Sequence, residues 1–119
     1  MSQSLNDFFA AWTLTADQGR DEKIVSAFGD SVYYSDPRVE APITDIAALC
    51  AYVSEFLPMC PPGAQVSVAD PVDAKHGHVR ATVHFVMSES MKQTGQYFAD
   101  VDENGKLKRL VGFVGKGAE

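Results

Sequence analysis

The spacing of apolar residues changes once along the chain. Before Gly63, apolar side chains recur every three or four residues, the interval that places them on one face of a helix. After Gly63 they alternate with polar side chains, as expected for a strand with one buried face. The sequence therefore predicts an α+β fold, in which the helices come first and pack on one side of a bent, mainly antiparallel sheet.

Three helices are predicted in the first half of the chain. Their apolar faces consist of Leu5, Phe8, Phe9 and Trp12 in the first, Ile24, Val25 and Phe28 in the second, and Ile46, Leu49, Cys50, Val53, Phe56 and Leu57 in the third. Ser4 and Asp7 have the spacing of a capping box at the start of the first helix. Prolines follow the third helix and prevent its continuation.

One short strand is predicted between the second and third helices, over residues 31–36. Its β-branched and aromatic residues favour an extended backbone. The strand ends at Asp36, because Pro37 keeps the preceding residue extended and offers no N–H to a neighbouring strand. Tyr33 and Tyr34 point to opposite faces of this strand, and the sequence leaves open which of them faces the interior.

Four further strands are predicted over residues 65–70, 79–87, 94–102 and 107–115. The last two are joined by Glu103-Asn104-Gly105, a strong signal for a hairpin turn. In the strand over 79–87, one face carries Val79, Ala81, Val83, Phe85 and Met87, and the other carries Arg80, Thr82, His84 and Val86. A shift of one residue in the pairing exchanges the two faces, so His84 is predicted either inside a pocket or on the outer face.

Composition narrows the possible partners. The 119 residues fit a single domain, and their net charge of −6, with no basic stripe, argues against nucleic acid as a partner.

The N-terminal residues lack the pattern of a signal peptide and nothing is predicted to span a membrane, so we expect a cytoplasmic protein in which Cys50 and Cys60 are reduced. His76 and His78 have no third ligand at a suggestive spacing, and neither a metal nor a cofactor is predicted.

The order of these features resembles a known family. The run DEKIVSAFGDSVYYSDP, a third helix and the closing VDENGKLKRLVGFVG resemble the SnoaL-like and ketosteroid-isomerase-like branch of the nuclear-transport-factor-2-like superfamily, over nearly the whole chain. The resemblance implies a single cone-shaped domain over residues 1–119, in which a bent sheet wraps a deep pocket. It also implies a homodimer, because many members pair through the outer face of the sheet.

The same resemblance suggests roles for particular residues. In the steroid isomerases, the carboxylate that abstracts the proton lies in the Asp-Pro pair that ends the first strand, the position of Asp36 here. Their first oxyanion donor is a tyrosine of helix 1, and Trp12 occupies its place, a departure from the family pattern. Their second donor aligns with Tyr97, whose phenol can donate a hydrogen bond at neutral pH.

Two function classes follow from these residues. The first is a cofactor-free isomerase or polyketide cyclase acting on a small apolar molecule with a polar group, with Asp36 as general base, Tyr97 as donor and His84 as a second acid-base group. Trp12, Tyr34 and Phe56 would line its ligand site. The second is a non-catalytic ligand-binding or dimerisation module, in which Asp36 only caps the loop that follows it.

Overall fold

The computed structural model describes residues 3–69 and 71–115. Its helices are α1 (Gln3–Ala10), α2 (Arg20–Ala27) and α3 (Ile46–Ser54), with short 3₁₀ turns at Ala11–Thr13, Ala16–Gln18 and Leu57–Met59. Its strands are β1 (Tyr34–Ser35), β2 (Gln65–Val68), β3 (Asp73–Lys75), β4 (His78–Val86), β5 (Lys92–Val101) and β6 (Leu107–Val114). Three helices and a curved sheet confirm the predicted α+β class.

All six strands belong to one sheet. The strand order is β1-β6-β5-β4-β2, and β3 also pairs with β4. The long strands pair antiparallel, whereas β1 runs parallel to β6. The predicted hairpin between β5 and β6 is confirmed, and Gly105 in its turn has a φ of 79°, a conformation that glycine adopts without strain.

The helices cover the inner face of the sheet. Val79, Ala81, Val83 and Phe85 of β4 are buried there, which confirms the apolar face predicted for this strand. Phe8 and Phe9 of α1 are fully buried in the same core, and Phe9 contacts Phe85 with the ring centroids 6.3 Å apart. The apolar stripe of α1 continues into the 3₁₀ turn, so that Trp12 joins the same core.

Three local predictions are corrected by the structure. Ser4 does not cap α1, because the helix already begins at Gln3 and the Ser4 hydroxyl instead donates to the carbonyl of Gly105 at 2.8 Å. The early strand is shorter than predicted and contains only Tyr34 and Ser35. Strand β3 was not predicted, since its three exposed residues show no apolar alternation and form a strand only by pairing with the long β4.

Two general features of the chain are also visible. Among the described residues, every helix is too short or too polar to cross a bilayer. Cys50 is buried and Cys60 half-buried, and both are free thiols, which agrees with the expected reduced state.

Candidate functional site

Asp36 directly follows β1 and is only 7% exposed. Two sets of backbone hydrogen bonds fix the strand before it. Tyr34 exchanges both backbone bonds with Ile43, at 2.9 and 2.8 Å, and the Leu110 amide of β6 donates to the Tyr33 carbonyl at 2.8 Å. Because β1 is held from both sides, the carboxylate that follows it has a defined position inside the cone.

Three donors hold the Asp36 carboxylate. The Tyr34 hydroxyl donates to Oδ2 at 2.5 Å, and the Tyr52 hydroxyl lies 2.8 Å from Oδ2 and 3.0 Å from Oδ1. The backbone N–H of Arg38 donates to Oδ1 at 2.8 Å. Hydrogen bonds of this kind stabilise a carboxylate away from water and fix its orientation. Asp36 therefore caps the loop after β1, as the hypothesis of a non-catalytic module predicts. It is also buried in the interior, as the hypothesis of a general base requires.

A cavity of about 80 Å³ opens beside this carboxylate. Its walls are mostly aromatic and apolar, and the residues that line it are Trp12, Asp36, Pro37, Arg38, Tyr52, Phe56, Phe85, Met87, Gln93, Thr94, Gly95, Tyr97, Phe113 and Val114. The structure thus brings together Asp36, Tyr97, Trp12 and Phe56, four of the residues proposed from sequence. This volume is well below the roughly 300 to 1,000 Å³ of typical ligand pockets, so the cavity has room only for a small molecule or one end of a larger one.

Tyr97 has space beside the cavity because its neighbours are glycines. It is 4% exposed and pairs directly with Gly112 of β6. A methyl group at Gly112 would lie 2.6 Å from Cζ of the Tyr97 ring, and one at Gly95 would lie 3.1 Å from its Cε1. The ring therefore lies flat across two positions without side chains, which keeps its phenol at the cavity wall.

The three phenols around Asp36 are held in their neutral form. Burial, reinforced by Asp36, raises the pKa of Tyr34 and of Tyr52 well above the usual range. Burial also raises the pKa of Tyr97 to about 12, against a smaller opposing effect of the nearby Tyr34 hydroxyl. All three side chains thus remain hydrogen-bond donors at any physiological pH.

His84 lies outside this cavity, which corrects its assignment as a second acid-base group. It occupies the outer face of β4, is exposed, and its Nδ1 lies 3.3 Å from the Thr94 hydroxyl oxygen. The pairing register that turns Val83 and Phe85 inward necessarily turns His84 outward. In the part of the chain that the structure describes, no three His, Cys, Asp or Glu side chains cluster in a way that could hold a metal ion.

The structure also decides which of the adjacent Tyr33 and Tyr34 faces inward and adds a third tyrosine to the site. Tyr34 faces inward and is fully buried behind Asp36, whereas Tyr33 packs under the Arg109 guanidinium, 5.2 Å from its ring centroid. Tyr52 was missed by the sequence analysis, which considered only apolar residues of the third helix. Its spacing of three from Leu49 and four from Phe56 places it on the inner face and could have identified it.

We compared the sequence and the structure of this chain with those of known proteins. No family model matches the sequence, and no curated protein matches it closely enough to count as a relative. A proposed isomerase of the SnoaL-like family from Agrobacterium tumefaciens matches in structure with a TM-score of 0.77 at 17% identity, over 92% of each chain.

Two further solved structures agree. A proposed ketosteroid isomerase from Kribbella flavida matches with a TM-score of 0.70 at 19% identity, over 99% of this chain and 79% of that one. A protein from Catenulispora acidiphila with a ketosteroid-isomerase-like fold, solved in complex with trimethylamine, has a TM-score of 0.68 at 13% identity, over 92% and 83% of the two chains. This chain therefore has the fold of the SnoaL-like and ketosteroid-isomerase-like branch of the nuclear-transport-factor-2-like superfamily.

Proposed function

We propose that this protein binds a small, largely apolar carbonyl compound and moves a proton at the carbon next to the carbonyl group. The observation that carries the proposal is the buried carboxylate of Asp36 at the wall of an aromatic cavity, on which Tyr97 also lies. Enolisation requires a base near the carbon and a donor near the carbonyl oxygen. Asp36 and Tyr97 supply these two groups.

The hydrogen bonds at Asp36 are compatible with this role. A carboxylate has about four acceptor positions, and the donors Tyr34, Tyr52 and Arg38 N–H together supply three protons. One position remains for a proton taken from the substrate. In that step Asp36 takes the proton, the C–H electron pair forms a C=C bond, and the π pair of the C=O bond moves to the oxygen, which becomes an enolate oxygen. Return of the proton from Asp36 to another carbon of the conjugated system re-forms the C=O bond and produces an isomer.

Hydrogen exchange tests the proposal without knowledge of the natural substrate. We expect the protein to accelerate the exchange of α-protons in small cyclic ketones such as cyclopentanone in D₂O, followed by the loss of the α-proton signal in the NMR spectrum. Tyr97→Phe should slow this exchange by an amount equivalent to about 2 to 4 kcal/mol of barrier, the scale of losing one oxyanion donor.

A matched variant separates the donor from the packing of the ring. Tyr33→Phe removes a hydroxyl from the same residue type, but at a position that packs under Arg109 on the outside of the cavity. It should leave the exchange rate unchanged. Equal rates for the wild type and Tyr97→Phe would remove Tyr97 from the mechanism, and no acceleration with any ketone would remove the proposed reaction.

A second candidate is a binding protein without catalysis. An anionic carboxylate surrounded by the rings of Trp12, Tyr52, Phe56 and Phe85 is also suited to a small organic cation, through charge and cation–π attraction. The Catenulispora acidiphila protein with trimethylamine has a similar fold. Saturable binding of trimethylamine, together with no exchange of ketone protons, would favour this candidate.

We also propose that two copies pair through the outer face of the sheet. Phe98 and Phe113 are 43% and 56% exposed there, with their ring centroids 5.8 Å apart, although Phe113 also borders the cavity. Adjacent exposed rings of this kind form an apolar patch. A two-fold partner would cover it. Light scattering should give about twice 12.9 kDa, and Phe98→Ser with Phe113→Ser should give the monomer mass. A monomeric wild type at micromolar concentration would contradict this assembly.

A further inference from the structure

Arg38 lies at the cavity, and its positive charge is not paired with a carboxylate of the chain. The other three arginines, Arg20, Arg80 and Arg109, each have a carboxylate oxygen nearby, at 3.0, 2.6 and 3.8 Å. Within residues 3–69 and 71–115, no carboxylate comes within 4.0 Å of the Arg38 guanidinium. In a chain with sixteen acidic and ten basic residues, this exception indicates a position where an anion from outside the chain can bind.

The surroundings of Arg38 explain why its side chain stays without a carboxylate. The Asp36 carboxylate, two residues earlier, is already held by two tyrosine hydroxyls and by the backbone N–H of Arg38. In the described part of the chain, the guanidinium makes one hydrogen-bond contact, from Nη2 to the sulfur of Met59 at 3.7 Å. Sulfur is a weak acceptor, and a guanidinium has five N–H donors, so most of them remain for a ligand.

The charge of Arg38 acts on the cavity itself. Arg38 is exposed and lines the same cavity as the buried Asp36. Burial raises the pKa of Tyr52 and of Tyr97, and the positive charge of Arg38 opposes this rise at both residues. Among the described residues that line the cavity, Asp36 and Arg38 are the two charged ones. The cavity therefore has an anionic inner wall and a cationic rim.

We infer that Arg38 is an anion-binding residue at the cavity rim, and that the ligand of this cavity is a small monocarboxylate with an apolar chain. A planar carboxylate accepts two parallel N–H bonds from a guanidinium. The charge of Asp36 repels the carboxylate of the ligand from the inner wall, so the apolar chain enters the cavity toward Trp12 and Phe56. One negative charge matches the one arginine, whereas Asp36 would repel a dianion such as phosphate more strongly.

The inference rests on the proposed function for the reaction and narrows its substrate class to small oxo carboxylic acids. It also counts against a cationic ligand. An alkylammonium ion is attracted by Asp36 but repelled by Arg38 at the rim, so the two effects oppose each other. A neutral ketone lacks the group that the guanidinium recognises.

Two probes of nearly equal shape test the role of the charge. Levulinate has a carboxylate at the end of its chain, and in methyl isoamyl ketone an isopropyl group replaces that carboxylate. Proton–nitrogen NMR titrations of the full chain would follow the Gly95 amide and the Trp12 indole, both at the cavity wall. We expect levulinate to bind about tenfold more tightly, the scale of one charged hydrogen-bonded pair. Added salt should reduce this preference, because Arg38 is exposed.

Three variants separate Arg38 from the overall charge of the protein. Arg38→Gln should remove the preference for levulinate, and Arg38→Lys should retain much of it. Both keep the backbone N–H that donates to Asp36, so we expect them to melt like the wild type. Arg80→Gln removes the same charge from the outer face of β4, where Arg80 pairs with Asp73 at 2.6 Å, and should retain the full preference.

Several results would overturn the inference. They are equal binding of the two probes to the wild type, an unchanged preference in Arg38→Gln, an equal loss in Arg80→Gln, tighter binding of inorganic phosphate, and no saturable change with levulinate. The proposed function fails separately. Levulinate binding that depends on Arg38 but is not accompanied by α-proton exchange would leave the ligand class standing and remove catalysis. Exchange of levulinate protons at equal rates in the wild type and Arg38→Gln would do the reverse.

Discussion

Replacing Asp36 with asparagine is expected to slow α-proton exchange of small ketones by at least about 100-fold. The amide has nearly the shape of the carboxylate but does not accept a proton at neutral pH, so the base is lost while the cavity is retained. The measurement is the exchange rate in D₂O at equal protein concentration. A variant that exchanges ketone protons as fast as the wild type would show that Asp36 is not the base.

The same position also tests how much the fold depends on this residue. Asparagine keeps an oxygen for the Arg38 N–H, and the hydroxyls of Tyr34 and Tyr52 can rotate to accept from its amide. We therefore expect Asp36→Asn to melt within a few degrees of the wild type. Asp36→Ala leaves all three donors without a partner and should destabilise the fold by about 1 to 3 kcal/mol or more. If Asp36→Asn melts as early as Asp36→Ala, the carboxylate is primarily a structural cap.

Raising the pH above 10 is expected to unfold the protein. The unfolded chain releases its tyrosine protons near pH 10, whereas burial raises the pKa of Tyr97 to about 12 and also raises the pKa of Tyr34 well above its usual value. Between these values the native state binds more protons than the unfolded state, so the free energy of unfolding falls as the pH rises. Two retained protons correspond to a slope approaching about 2.7 kcal/mol per pH unit. Over two units this loss matches the whole stability of many domains.

Urea titrations at several pH values between 8 and 12 measure this slope. Tyr97→Phe removes one of the two protons, so its stability should fall with pH about half as steeply. The half-buried Tyr52 contributes in the same direction but less, because water screens its interactions. A free energy of unfolding that stays constant up to pH 12 would contradict the burial of these phenols.

The features predictable from sequence are those that depend on one element and one buried face. Alternation along β4 identifies its inner residues, because a period of two allows only two faces and only one of them is continuously apolar. The sequence left the face of His84 open, and the observed burial of Val83 and Phe85 is what places it on the outer face. The position of Asp36 follows from the proline that ends its strand.

The features that could not be predicted from sequence depend on contacts between separate helices and strands. The hydrogen bond of Tyr52 to Asp36 requires α3 to lie over the end of β1, and no local pattern encodes that approach. The choice between Tyr33 and Tyr34 depends on the pairing of β1 with β6. Strand β3 could not be predicted from β-propensity, because its three residues form a strand only through their pairing with β4.

The parallel pairing of β1 with β6 has a consequence for the order in which the molecule forms during synthesis. Tyr34 pairs with Leu110 and Ser35 with Val111, so the strand that carries Asp36 lacks this partner until the last part of the chain has left the ribosome. Closing a loop between such distant residues is costly in entropy and comes late in folding. A nascent chain that stops before β6 would therefore contain all three groups that donate to the Asp36 carboxylate, yet β1 would be held only from the Ile43 side.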